Sequence, residues 1–335
     1  MTEPAVLAVD GGNSKADVAL IGRDGGLLGA VRSPTISHQA VGIEAATERL
    51  AGVLQRLSLA GAAMPPIAVF SLAGADYPAD VRLLRGAFGG LLPGVDFHVL
   101  NDTFGALRAG TSRPWGIVLI CGQGINGAAV GRDGRTVRFA GVGDIAGDWG
   151  GGGGVGMAGL AAAVRGRDGR GPRTELERTI PAAVGLRRPD AVTHAYYTGR
   201  LDQARIGELA PTVFATAASG DPVARSIIDR LADELATMAA ALARRAGLVR
   251  SGPEVVLAGG TFRTDEEGFH ARLARGVERA IPGATLVRLT EPPVAGAALI
   301  GLDRLAGGSA DSNAERRLRA ELRAWDATAR VVTPS

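Results

Sequence analysis

Three glycine-rich turns, each closing an apolar run, gather residue types that can bind a polyphosphate. The first, Asp10-Gly11-Gly12-Asn13-Ser14-Lys15, lies between the apolar runs Val6–Asp10 and Asp17–Ile21. Glycines in such a turn let backbone N–H groups point inward at phosphate oxygens. Asp10 at the strand end can hold Mg²⁺ through water, while Ser14 and Lys15 add a hydroxyl and a cation. The second turn, Gly122-Gln123-Gly124-Ile125-Asn126, follows the run Trp115–Cys121. The third, Leu257-Ala258-Gly259-Gly260-Thr261, ends a strand in a glycine pair, as a backbone approaching adenine or ribose requires. Any one of these reads equally as a plain glycine hairpin or strand-to-helix turn. Together, the first two could grip one polyphosphate from opposite sides, and ATP with Mg²⁺ is the expected ligand.

Between the first and second turns, Val95–Leu100 reads as a strand ending at Asn101-Asp102, with a helix over Thr103–Ala109 behind it. Sites in α/β sheets open at such carboxyl ends of strands. Asp102 could therefore take a proton from an acceptor hydroxyl. It could also serve only as the helix N-cap, a common role for an aspartate after a strand.

The elements that must position these residues follow from periodicity. Val6–Asp10, Asp17–Ile21 and Leu27–Val31 read as an antiparallel meander. Helical spacing runs over Ile43, Leu50, Val53, Leu54 and Leu57, then a strand over Ile67–Leu72, a helix with Val81, Leu84, Phe88 and Leu91, and the strand before Asn101. The order is βββαβαβ. The second half restarts with Trp115–Cys121, Gly127–Val130 and Thr136–Ala140, and the turn Gly-Arg-Asp-Gly stands at matching places in both halves, 22–25 and 131–134. This reads as an internal duplication. From about Val155 to Gly247 the chain reads as largely helical, including an amphipathic stretch over Pro222–Ala246. A strand over Glu254–Ala258, a helix near Phe269–Ala280, a strand near Leu286, an alanine-rich helix over Val294–Leu305 and a charged helix over Asp311–Ala327 complete it. The expectation is an α/β protein of two domains with a cleft between them. The first spans 1–113, with a helix near 306–330 packing back on it, and the second spans 114–305 with a helical insertion.

Composition narrows the function. Hydrophobic residues at 46% and charged residues at 21% fit a globular enzyme. A net charge of +3, from 37 basic and 34 acidic residues, supplies no basic stripe for nucleic acid. The start of the sequence lacks a leader pattern and no apolar run is long enough to span a bilayer, so the expected location is cytoplasmic and no membrane partner is expected. A single cysteine, Cys121, excludes an intrachain disulfide and any multi-cysteine metal site within one chain.

The three turns in this order, with Asn101-Asp102 between the first two, resemble the actin/hexokinase/Hsp70 superfamily from Val6 to about Leu305. Ala140-Gly-Val-Gly-Asp-Ile-Ala-Gly-Asp-Trp-Gly150 resembles a loop of the N-acetylglucosamine kinases, in the BadF/BadG/BcrA/BcrD ATPase family. Pro34–Gln39 and Ser71–Asp76 fall where that family builds its sugar pocket. The resemblance implies two ribonuclease H-like domains and an ATP-dependent kinase acting on the 6-hydroxyl of N-acetylglucosamine or a close amino sugar. It implies Asp102 as general base and phosphate contacts from Gly11, Gly12, Asn13, Ser14, Lys15, Gly122, Gln123, Gly124, Gly259 and Gly260. It implies sugar contacts from Ser37, His38, Gly74, Ala75, Asp76, Asn101, Asp102, Asp148 and Trp149, and a homodimer. Asp148 matches the aspartate of the family's Gly-Asp-Glu-Gly loop, but Trp149 stands at its glutamate. Ser37 and Gln39 stand where mammalian members have asparagine and tryptophan. These departures keep glucosamine, N-acetylmannosamine, N-acetylmuramic acid and glucose open as acceptors. Dehydratase activators of the same family bridge a [4Fe–4S] cluster with two cysteines per subunit, against one here. Sugar-sensing repressors place a helix-turn-helix ahead of the first strand, which here starts by Val6.

Overall fold

In the computed structural model, residues 3–57 and 64–331 are described. The chain forms β1 (Pro4–Gly11), β2 (Lys15–Gly22), β3 (Leu27–Pro34), α1 (His38–Val41), α2 (Ile43–Arg56), β4 (Ile67–Leu72), α3 (Pro78–Gly89), β5 (Asp96–Asn101) and α4 (Asp102–Gly110). Then come β6 (Gly116–Cys121), β7 (Ile125–Val130), β8 (Thr136–Arg138), α5 (Gly151–Asp168), α6 (Leu176–Ala183), α7 (Pro189–Tyr197), α8 (Gln203–Gly207) and α9 (Ala210–Ala218). The chain closes with α10 (Pro222–Ala246), β9 (Glu254–Ala258), α11 (Glu267–Ala280), β10 (Thr285–Arg288), α12 (Pro293–Ala306) and α13 (Ser312–Thr328). None of the described helices is long and apolar enough to cross a membrane.

The duplication is explicit in topology. One five-stranded sheet runs β3-β2-β1-β4-β5, and the other runs β10-β9-β6-β7-β8, which read from its far end is the same order. In the first sheet β1 is antiparallel to β2 and parallel to β4. The repeated Gly-Arg-Asp-Gly turns close alike: Gly25 N–H donates to the Gly22 carbonyl and Gly134 N–H to that of Gly131, both at 3.0 Å. Gly25 and Gly134 have φ of 78° and 79°, a conformation glycine adopts without strain.

The chain divides into two compact units, 1–118 with 128–134 and 287–335, and 119–127 with 135–286. In the first unit, alternation along the strands splits the core in two. Leu7, Val9, Phe70 and Leu72 pack with Leu50 of α2 and Leu84 and Phe88 of α3. Val6, Ala8 and Val69 pack with Ala298 and Leu302 of α12 and Leu318 and Leu322 of α13. Burial on both faces is why these strands read as continuous apolar runs.

The sequence bounds assigned the alanine-rich helix to 114–305, but α12 lies with the first unit. Its small residues explain this, since they let α12 approach other backbone. A Cβ on Gly296 would lie 1.8 Å from the Gly105 carbonyl of α4, and one on Gly301 2.4 Å from Val6 of β1. In the second unit α10 is the predicted amphipathic helix, beginning at an Asp221 cap whose side chain accepts from Ala224 N–H at 2.7 Å.

Candidate active site

The first hairpin is closed by Gly12 N–H donating to the Lys15 carbonyl at 2.9 Å, with Asn13 and Ser14 exposed at its tip. A Cβ on Gly11 would sit 2.6 Å from Leu72 Cδ2, so a side chain there would displace the Leu72 methyl at the end of β4. Lys15 donates to Asp17 at 2.6 Å. Asp17 is fully buried and also receives Arg32 at 2.7 and 2.9 Å. Arg32 continues to Asp326 of α13. Asp10 stands opposite Asp17 in the β1–β2 register. Burial first, then the charges of Asp102 and Asp17, push the Asp10 carboxyl up to about 8 against the opposing pull of Lys15 and Arg32. Asp10 and Asp102, far apart in sequence, are thus brought into one electrostatic locus at the ends of β1 and β5.

At the start of α4 the cap is Asn101. Its side-chain oxygen accepts from Thr103 N–H at 3.2 Å and from Thr103 Oγ1 at 2.6 Å. Asp102 is the first helical residue, so its carboxylate is not the capping group and sits at the positive end of the helix dipole. Ser71 fixes the same turn by accepting Gly105 N–H at 3.1 Å.

The predicted sugar segments of the first unit converge. Thr35 Oγ1 donates to the Gly12 carbonyl at 2.7 Å and accepts Ser37 N–H at 2.9 Å, tying 34–39 to the first glycine hairpin. Gly74, at φ 81°, lies where a Cβ would sit 3.0 Å from His38 Cε1 and 2.9 Å from Gln39 Cδ. Asn101 Nδ2 donates to Asp76 Oδ1 at 3.0 Å and to the Ala75 carbonyl at 3.5 Å. Ser37 Oγ and His38 Nδ1 are buried without a hydrogen-bond partner. Buried polar atoms are rarely left so, and both are of the type a ligand hydroxyl would satisfy.

In the second unit the second hairpin is closed by Gly122 N–H to the Gly124 carbonyl at 2.9 Å. The glycine run 150–154 has its place here. It opens α5, and Gly152 and Gly153 donate to the carbonyls of Gly122 and Gln123, each at 2.8 Å. A Cβ on Gly151, at φ 67°, would lie 2.6 Å from the Gln123 carbonyl. The third turn meets the same strand, since a Cβ on Gly259, at φ 107°, would sit 2.3 Å from the Cys121 carbonyl. Burial pushes the Cys121 thiol up to about 11, leaving it a packing residue.

Gly122, Gln123, Gly260 and Thr261 line a pocket of about 800 Å³ whose far wall is Pro211, Phe214 and Ala215 of α9, within the range that holds a nucleotide-sized ligand. The α9 wall and the tie from Thr35 to Gly12 were not read from the sequence. A proline-led helix announces its start and not what it borders, and a threonine's tie across 23 residues has no local pattern. Asp148, half-buried, carries an unpartnered Oδ2. Its carboxyl is pushed up by burial against backbone donors at 141–143. Trp149 has the Arg230 guanidinium 3.7 Å from its ring centroid.

The repeated mixed sheets define two ribonuclease H-like domains of the actin-like ATPase class. The chain belongs to the BadF/BadG/BcrA/BcrD ATPase family, whose profile matches residues 7–301. It is 25% identical over 318 residues to an N-acetyl-D-glucosamine kinase of Dictyostelium discoideum, covering 90% of this chain and 99% of the relative. It is 27% identical over 233 residues to an N-acetylmuramic acid/N-acetylglucosamine kinase of Clostridium acetobutylicum, covering 69% and 76%. The solved structure of a candidate N-acetylglucosamine kinase from Chromobacterium violaceum matches with a TM-score of 0.65 at 23% identity, over 89% of this chain and 99% of that one.

Proposed function

We propose that this ATP-dependent sugar kinase transfers the γ-phosphoryl group to the 6-hydroxyl of N-acetylglucosamine or a close amino sugar, with Asp102 as general base. The observation that carries the reading is the division of roles at α4. Asn101 makes the cap, and Asp102 keeps its carboxylate beside that of Asp10. The names of the two curated relatives support the acceptor class. Ser37, His38, Gly74, Ala75, Asp76 and Asn101 are assigned to sugar recognition, supported by the two orphaned atoms among them. Asp148 and Trp149 are assigned to it by the family resemblance and the orphaned Asp148 oxygen.

In this mechanism Asp102 accepts the proton of the sugar hydroxyl as its oxygen bonds to the γ-phosphorus and the bond to ADP breaks. The glycine hairpins hold phosphate oxygens with backbone N–H groups aimed in advance. The pocket against α9 takes the adenosine.

The residues fit Mg²⁺. Among the described residues no cluster of three or more His, Cys, Asp or Glu could hold a metal alone, and Mg²⁺ in kinases relies on one or two carboxylates with phosphates and water. Asp10, whose carboxyl is raised partly by neighbouring negative charge, is the group a cation would relieve. Bound there through water, Mg²⁺ would neutralise phosphate charge. A homodimer in the cytoplasm is the setting the family resemblance suggests, and light scattering on the purified protein tests the dimer.

The acceptor is tested by coupled ADP release with Mg-ATP against a sugar panel, with phosphorus NMR on the product. Turnover with N-acetylglucosamine and a 6-phosphate product is expected. ADP release that ignores the sugar, or a preference for glucose, would overturn the acceptor assignment. N-acetylmuramic acid belongs on the panel because the Clostridium relative's name includes it.

A further inference from the structure

The loop that holds Asp148 is gripped from two sides. On one side Arg230 of α10 stacks its guanidinium on Trp149 at 3.7 Å from the ring centroid. Next along α10, Leu231 meets the following residue of the loop. Gly150 is held so close that a Cβ there would lie 2.9 Å from Leu231 Cδ1 and 2.9 Å from Ile125 Cγ2. On the other side a Cβ on Gly154, in the first turn of α5, would sit 3.7 Å from Trp149 Nε1 and Cε2. The indole is therefore a wedge between α10 and the start of α5. The ring has a cation on one face and backbone at its five-membered edge.

The neighbouring residue gives the wedge its meaning. Asp148 has a buried oxygen without a partner, and its backbone N–H donates to the Gly143 carbonyl at 3.2 Å, closing the short turn that carries it. The loop's own backbone closes the turn at 143–148 and donates to the Asp148 carboxylate from 141–143. The Trp149 stack adds a contact from outside the loop, directly beside that carboxylate.

We infer that Arg230 is a positioning residue for sugar binding: by clamping Trp149 it fixes the backbone that aims Asp148 at the acceptor. This rests on the assignment of Asp148 to the sugar. Arg230 is half in solvent, with 56% of its side chain exposed, so its replacement leaves the core untouched.

The test is steady-state kinetics of Arg230→Met, Arg230→Lys and Trp149→Leu, with N-acetylglucosamine and ATP varied separately. A partly exposed cation–π contact is worth a KM change of roughly three- to tenfold. Arg230→Met is expected to raise the sugar KM by that factor, with the ATP KM within about twofold of wild type. Arg230→Lys should recover most of the loss, and adding Arg230→Met to Trp149→Leu should cost little more than either alone. A sugar KM that does not move in Arg230→Met, or sugar and ATP KM values rising together, would overturn the clamp while leaving the kinase assignment standing. A wild-type protein that turns over ATP without any sugar dependence would refute the acceptor assignment, and the clamp with it.

Discussion

Asp10 and Asp102 are two carboxylates that share one local surrounding. Asp10 is enclosed at the end of β1 and faces Asp17 and Asp102, so its carboxyl rises to about 8 from an ordinary 3.8. Between those values the folded chain binds more protons than the unfolded one. Its stability contribution is therefore intact at low pH, falls as pH rises through the window, and is fully lost above it. Thermal unfolding of wild type and Asp10→Asn without nucleotide should show the variant gaining on wild type from about pH 5 to about pH 9; parallel curves would contradict the burial of this carboxyl. Asp102 follows the cap residue Asn101 as the first residue of α4. The sequence alone left base and cap as alternatives for Asp102, because the difference lies in which of two adjacent side chains turns back on Thr103.

Helix α5 makes the corresponding point for elements. Five consecutive glycines are poor helix formers, and the sequence reading began the helical region only at Val155. Two constraints absent from any local pattern override that preference. The first turn spends N–H groups on the Gly122 and Gln123 carbonyls, and a Cβ on Gly151 would lie 2.6 Å from the hairpin backbone. Gly151→Ala is accordingly expected to destabilise the protein by about 1–3 kcal/mol and to raise the KM for ATP more than that for sugar. Urea unfolding and steady-state kinetics measure both, and an unchanged ATP KM would separate α5 from the phosphate hairpin. By contrast, α10 was legible to the residue, since its apolar face, Asp221 cap and Gly247 terminator all act locally. The strands of the first sheet were legible as elements, since their apolar runs and turns are short-range, but of their bounds only Ile67–Leu72 is as read.

For the molecule as a whole, what was legible was the repeat, because the same Gly-Arg-Asp-Gly turn and the same apolar runs recur, and the two sheets share one strand order. Where α12 belongs was less so. α12 and α13 join the first unit through buried pairs of long sequence separation, chiefly Arg108 of α4 with Asp303 at 2.7 Å and Glu315 at 2.8 Å. Arg108→Leu would strand the Asp303 carboxylate in the interior and leave Glu315 to Arg319, and a loss of about 3–5 kcal/mol is expected on unfolding in urea; a loss under about 1 kcal/mol, the value of a surface pair, would show that this junction does not hold the unit. The site depends on such remote ties, since the N-terminus of α4 carries Asp102 and its last turn carries Arg108. The most direct test of the central claim is single-turnover phosphoryl transfer to N-acetylglucosamine by Asp102→Asn, with sugar and ATP affinities measured on the same protein. A transfer rate lowered by at least ~10²-fold with both affinities retained is the predicted result, and a rate near that of wild type would contradict the assignment of Asp102 as the base.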